Sequence, residues 1–254
     1  YTISTNGSTI KNKVTSLGNE NADVVSGPYH ITRVGYAVGS IFGYEQVGIF
    51  QNQQEIDNAA TTSWISKPGD IQYKDITGDG KITDKDRTFI GSTIPSFLFG
   101  LNLAANYKGF DMSVEFNGIA GSKIINTKKL PSFTQFNFYE EALSRWHGEG
   151  TSNDYPILDN TRSHNFLPST NLLEDGSYVR LRNLQIGYTL PKSVYSILGL
   201  SKVRIYANAQ NLITFKSNTG FTPEIGGSIL SANVDNGSTY PLPTTYTCGL
   251  SVNF

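Results

Sequence analysis

Tyr246–Phe254, YTCGLSVNF, alternates without a break and stops on an aromatic residue. In an extended strand Tyr246, Cys248, Leu250, Val252 and Phe254 share one face, and Thr247, Gly249, Ser251 and Asn253 share the other. An apolar face that meets lipid and a polar face that meets a water-filled lumen account for such a strand, exposed terminal Phe included. The expected fold is therefore all-β: an antiparallel segment of a transmembrane β-barrel, with long outer loops.

Composition agrees. The 254 residues include 14 Tyr, 14 Phe and 25 Gly, with only 16% charged. Aromatic girdles and bent strands use such residues. No run approaches the roughly 18 consecutive apolar residues of a membrane helix, and a mean hydropathy of -0.27 does not argue against strands that are polar on one side. A formal net charge of -1 supplies no basic field for nucleic acid. Cys248 is the single cysteine, which excludes an internal disulfide and a thiol metal site. Tyr1 to Thr5 carry neither the basic nor the apolar part of a signal peptide, so an exported protein has lost its signal or its start lies upstream.

Outward from the last strand, the alternation recurs. Val203, Ile205, Ala207 and Ala209 alternate with Arg204, Tyr206, Asn208 and Gln210, which predicts a strand over 202–214 whose polar row faces the lumen. In 178–189, Leu184, Ile186 and Tyr188 share a phase with Arg180 and Arg182, so the two arginines are expected to project beyond the membrane edge. Phe97 to Tyr107 and Phe110 to Phe116 form two stripes separated by Lys108-Gly109, a hairpin signal. Further strands are expected around 1–10 and 33–49, giving six or seven in all. Short helices are expected at 140–146 and 51–60. The connections near 108–109 and 191–201 are short, whereas 50–96, 121–177 and 215–243 are long, the asymmetry of an outer-membrane barrel. Tyr107, Phe110, Tyr188 and Phe254 should then form a girdle at the short-turn side.

PGDIQYKDITGDGKITDKDRTFIG (68–91), FGLNLAANYKGFDMSVEFNG (99–118), RWHGEG (145–150), LEDGSYVRLRNLQIGYTLP (173–191), VRIYANAQNLITF (203–215) and TPEIGG (222–227) resemble, in order, the C-terminal part of SusC/RagA-type TonB-dependent outer-membrane transporters. The resemblance implies a plugged barrel of about 22 strands, in the bacterial outer membrane, driven through TonB. It implies import of oligosaccharides or peptides captured with a SusD-like lipoprotein, and no enzymatic activity. Residues 1–254 would then be the C-terminal part of the barrel, with the plug and early strands outside this chain. Six or seven strands cannot close a barrel, so the segment needs the rest of it.

Asp75, Thr77, Asp79, Gly80, Lys81 and Asp86 occupy positions 1, 3, 5, 6, 7 and 12 of an EF-hand-like loop. Oxygen side chains at 1, 3, 5 and 12, with the Lys81 carbonyl at 7, suit Ca2+ at the weak, extracellular end of affinity. The same residues also suit a polar loop of Asx turns that holds no ion. His30, His147 and His164 have no ligand spacing and read as surface loop residues. Trp64 and Trp146 are candidates for stacking on a sugar or for packing their own loops, and Arg204, Tyr206, Asn208 and Gln210 for lining the transport path. No nucleophile motif, phosphate loop or organic cofactor signature is present. The alternative reading is a secreted soluble β-sandwich that binds or degrades glycans, stapled by calcium, with its apolar stripes packed inside.

Overall fold

A computed structural model describes residues 1–130 and 138–254; residues 131–137, part of the long loop 121–177, lie outside the described residues. Six long strands pair in chain order as one antiparallel sheet: Thr2–Thr9, Phe97–Tyr107, Phe110–Ala120, Tyr178–Thr189, Lys202–Lys216 and Thr245–Asn253. Lys108 and Gly109 both take positive φ, 45° and 86°, as a two-residue hairpin whose twist matches its strands requires. Thr9 pairs with Phe97, Phe97 with Ala120 and Ile119 with Tyr178, so the long connections leave from one end of the sheet. The hairpin and residues 190–201 occupy the other.

Register decides between the two sequence readings. Ala105, Met112, Ile186, Ala207 and Cys248 form one row across the sheet, and Leu103, Val114, Leu184, Ala209 and Tyr246 the next. These apolar rows face outward and are uncovered: Met112 is 43% exposed, Ile186 50% and Tyr246 72%. A sandwich would pack them beneath a second sheet, and none covers them among the described residues. An apolar face this continuous needs a nonaqueous surrounding. Tyr107, Phe110 and Tyr188 lie in one row at the short-turn end, with the Phe110 and Tyr188 rings 4.5 Å apart. Phe254 follows Asn253 at the same end.

The buried apolar core lies in the connections. Tyr44, Ile49, Ile71, Tyr73 and Ile82 form one cluster, and Ile41, Ile125 and Leu172 a second. Lys123–Asn126 pairs antiparallel with Leu173–Asp175 and parallel with Val234–Asp235, tying two of the long loops together.

The strand expected over 33–49 is not a barrel strand. It splits into Ser40–Gly43, paired with His30–Thr32 and Thr88–Gly91, and Gln46–Ile49, paired with Ile71–Tyr73. The cause is glycine: Gly35 and Gly39 take φ of 94° and 59°, which bend the chain. A Cβ on Gly43 would overlap the Pro168 carbonyl, so this residue also permits one loop to lie against another. The two expected short helices are present as Gln53–Asp57 and, in 3-10 form, Glu140–Ser144.

Candidate functional site on the inner wall

The polar faces of the six strands form the concave candidate surface. Arg204, Tyr206, Asn208 and Gln210 lie on it as expected, because Lys202–Lys216 keeps a strict alternation up to Gln210. Arg204 donates from Nε to Asp111 Oδ1 at 2.8 Å, two strands away. The guanidinium also lies 5.0 Å from the Tyr206 ring centroid. This pair crosses Gly187, where a Cβ would overlap the Arg204 guanidinium, and Tyr206 covers Gly249, where a Cβ would overlap its ring. Two glycines thus let long polar side chains lie flat against the wall.

The arginines of Tyr178–Thr189 correct the sequence reading. The register of this strand shifts at Arg182 against both neighbours, so Leu181 pairs with Phe116 and Ile213 while Asn183 pairs with Glu115 and Gln210. One bulge residue reverses the phase. Val179 and Leu181 therefore join the outer face, and Arg180 turns inward instead of projecting past the membrane edge. It is 4% exposed, donating to Thr214 Oγ1 at 2.9 Å and to Glu224 Oε2 at 2.6 Å. Tyr178 donates its hydroxyl to Glu224 Oε1 at 2.6 Å. Burial pushes the Glu224 carboxyl up, but the bonds from Tyr178 and Arg180 outweigh it and hold it below the usual range. Around the bulge, Glu115, Arg180, Arg182, Asn183, Gln210 and Glu224 line a cavity of about 370 Å³. Glu115, Arg182 and Glu224 were not candidates from sequence. The available signal was the conflict of two arginines lying in an apolar phase, which a bulge resolves.

Both tryptophans face the loop core. Trp64 stacks on His164 with centroids 5.4 Å apart and meets Tyr73 edge-on, while Trp146 packs on the first cluster and donates from Nε1 to Gln51 at 3.2 Å. A Cβ on Gly69 would stand 2.5 Å from the Trp146 ring, so that glycine admits the indole. Two of the histidines expected at the surface are not there. His30 is 3% exposed with Nε2 2.9 Å from the Ala232 carbonyl, and His164 Nε2 stands 2.9 Å from Asp70 Oδ2. His147 is exposed.

In the loop 75–86, Asp86 is fully buried and its carboxylate accepts from Ile76 N, Thr77 N, Thr77 Oγ1, Thr83 N and Thr83 Oγ1. Burial opposes ionisation, yet these bonds bring the carboxyl down to about 2. Asp75 accepts from Gly78 N and Gly80 N, both at 2.7 Å, and Asp79 from Lys81 N at 2.9 Å. Among the described residues, no three His, Cys, Asp or Glu side chains gather closely enough to hold a metal ion.

The fold and its two faces define a β-barrel segment with a polar inner wall and an apolar exterior, and no helix among the described residues is long and apolar enough to cross a membrane. No protein-family model matches the chain. It is 35% identical over 260 residues to TonB-dependent receptor P3 of Formosa agariphila, covering 96% of this chain and 26% of that receptor. TonB-dependent receptor P26 of the same organism is 29% identical over 233 residues, covering 87% and 23%. The structure of the RagAB peptide transporter superposes with a TM-score of 0.78 at 24% identity, covering 99% of this chain and 26% of that one. The sequence identifies the chain as a segment of a TonB-dependent receptor, and its fold is like that of the RagAB structure. It spans about a quarter of the length of the relatives it matches.

Proposed function

We propose that this chain is part of an outer-membrane importer, the C-terminal part of a barrel whose plug and early strands lie elsewhere in the receptor. The importer is driven through TonB and works with a SusD-like surface lipoprotein to carry oligosaccharides or peptides. The observation that supports this reading best is the opposition of the two faces. Uncovered apolar rows suit lipid outside, and a continuous polar wall suits a hydrated path inside. The related RagAB structures are described as a peptide transporter and importer. The protein acts on its ligand by moving it, not by cleaving it. Cells expressing the full-length receptor should accumulate intact ligand only while TonB and the proton gradient operate. Undiminished uptake without TonB, or cleavage by the purified receptor, would refute the assignment.

Calcium at the loop 75–86 belongs to the same proposal on narrower terms. Asp86 is consumed by five donors, which leaves Asp75 and Asp79, with Thr77 and the Lys81 carbonyl, as the groups available to an ion. Two carboxylates place the affinity at about 10⁻⁴–10⁻³ M, the range of extracellular calcium modules.

A further inference from the structure

By phase Val203 belongs to the apolar outer side of its strand, yet it is 8% exposed where Ile205, two residues on, is 51%. The cover is the connection that precedes it. Lys192–Tyr195 and Ser196–Leu198 form a short helical stretch after Pro191 that packs against the start of Lys202–Lys216. Gly199, at φ of 69°, ends it and returns the chain to the sheet. A connection that covers an outward side chain lies on the outer side of the wall, and this one exposes apolar residues of its own. Val194 is 49% exposed and Ile197 84%, at the i, i+3 spacing that puts two side chains on one side of a helical turn. Tyr107 and Phe254, both exposed, lie at the same end of the sheet, so the apolar exterior continues from the strands onto the connection.

The charge at this end is cationic. No Asp or Glu occurs over 176–223. Asp111, the acid that follows the hairpin, is bonded to Arg204, whereas Lys108 and Lys192 enter no ion pair among the described residues. The hairpin that carries Lys108 adjoins the connection that carries Lys192, because Thr189 N donates to the Gly109 carbonyl at 2.8 Å. Lys108 also holds its Nζ 5.3 Å from the ring of the exposed Tyr107.

We propose that the connection 190–201 is an interfacial membrane anchor, with Val194 and Ile197 among the acyl chains of the leaflet at the short-turn end, and Lys108 and Lys192 on the headgroups of its anionic phospholipids. The proposal rests on the barrel reading and extends it from the strands to a connection. Two observations choose lipid over a protein partner. The first is continuity: a single exposed isoleucine is ordinary on a protein surface, but here it extends a face already given to lipid. The second is charge, since an apolar tip flanked by cations and by no free acid complements an apolar layer bounded by phosphates. The lysine stems are long enough to lie along the apolar layer while their ammonium groups reach its edge.

The test uses the full-length receptor in lipid nanodiscs without any other protein, with a fluorophore on a sole cysteine: Ile197→Cys, the native Cys248, or Gln54→Cys on a helix of the long loops. Ile197 is so exposed that its replacement removes little packing, and the fold should be kept. Phosphatidylcholine brominated on its acyl chains should quench the probes at 197 and 248 alike and leave the probe at 54 bright. Quenching at 248 with a bright probe at 197 would overturn the anchor and leave the barrel standing; quenching at neither would overturn both. Shielding of the 197 probe only after a second protein is added would assign the site to that protein and likewise overturn the anchor. The headgroup contact is read by placing the bromine on a minor fraction of the lipid, either phosphatidylglycerol or phosphatidylcholine. The enrichment of phosphatidylglycerol at 197 should be about fivefold, and should vanish when Lys108→Gln and Lys192→Gln are combined. Equal quenching by the two lipids with both lysines present would overturn the headgroup assignment.

Discussion

Arg180, on a strand of the inner wall, and Glu224, in the last long loop, are joined 2.6 Å apart, with the arginine side chain 5% exposed and the glutamate 45%. The ion pair pins a surface loop to the barrel at the point where the bulge has turned Arg180 inward. Its strength is set by the buried partner. Glu224 alone could be hydrated, but Arg180 without it keeps one neutral hydrogen-bond partner, Thr214, and the Tyr178 ring 5.0 Å away.

Glu224→Ala should therefore free residues 217–230 and strand a buried cation, at a cost of about 1–3 kcal/mol. Hydrogen exchange in that loop should rise while exchange in Phe97–Tyr107 stays unchanged. Unaltered loop protection would show that the pair does not hold it.

Gly187 and the Arg204–Asp111 pair should behave as one unit. Gly187→Ala puts a methyl where the guanidinium lies, so it should cost as much as Arg204→Ala, and the double variant little more than either. Unfolding midpoints of the four receptors in denaturant give the coupling. Additive losses would mean that the glycine serves something other than this pair.

The two faces should differ in their tolerance of charge. Leu184 lies in a central outward row, and Leu184→Arg should cost about 2–4 kcal/mol of membrane-embedded stability. Its neighbour Gln185 faces the lumen, so Gln185→Arg should be mild. Leu250 shares its row with Ile205, Tyr188 and Phe110, near the aromatic girdle, and Leu250→Arg should cost about 0–1 kcal/mol. Equal costs at 184 and 185 would contradict the assignment of faces.

The loop 75–86 has its own acid response. The Asp86 carboxyl sits at about 2 in the fold, below its ordinary 3.8. A depressed carboxyl contributes stability that is full above the ordinary value and is lost as pH falls through the folded one. Amide protection at Thr77 and Thr83 should thus hold down to about pH 4 and disappear toward pH 2, and Asp86→Asn should lose it at neutral pH. Millimolar calcium should slow exchange at Gly78 and Gly80 in the native chain; no change up to about 10 mM would leave the Asx turns as the whole account of the loop.

How much of this was legible in the sequence varies by element. The strands near 97–107, 202–214 and 246–254 could be read because period-two alternation is a local property, and the hairpin because only the two residues Lys108-Gly109 separate two such stripes. The bulge at Arg182 could not be read so directly. It changes the phase at a single residue, and only the register against Phe116 and Ile213 shows on which side the arginines fall. Residues 33–49 alternated well enough to suggest a strand, but the contacts of Gly39 with Ile229 and of Gly43 with Pro168 join segments more than 100 residues apart. For the same reason Trp64 and Trp146 were open to stacking on a ligand or to packing their own loops, and it takes the folded loops to show that both pack. The oxygen spacing at 75–86 was visible, whereas the saturation of Asp86 depends on how Thr83 and Ile76 close over it.

Cys248 offers the most direct test of the central claim, because it lies on the outer face between Ala207 and open surroundings, and its side chain is exposed. In the full-length receptor in membranes, with any other cysteines replaced, a membrane-permeant thiol reagent should label Cys248 and a charged, water-soluble one should not. Equal labelling by both reagents would place this face in water and contradict the barrel.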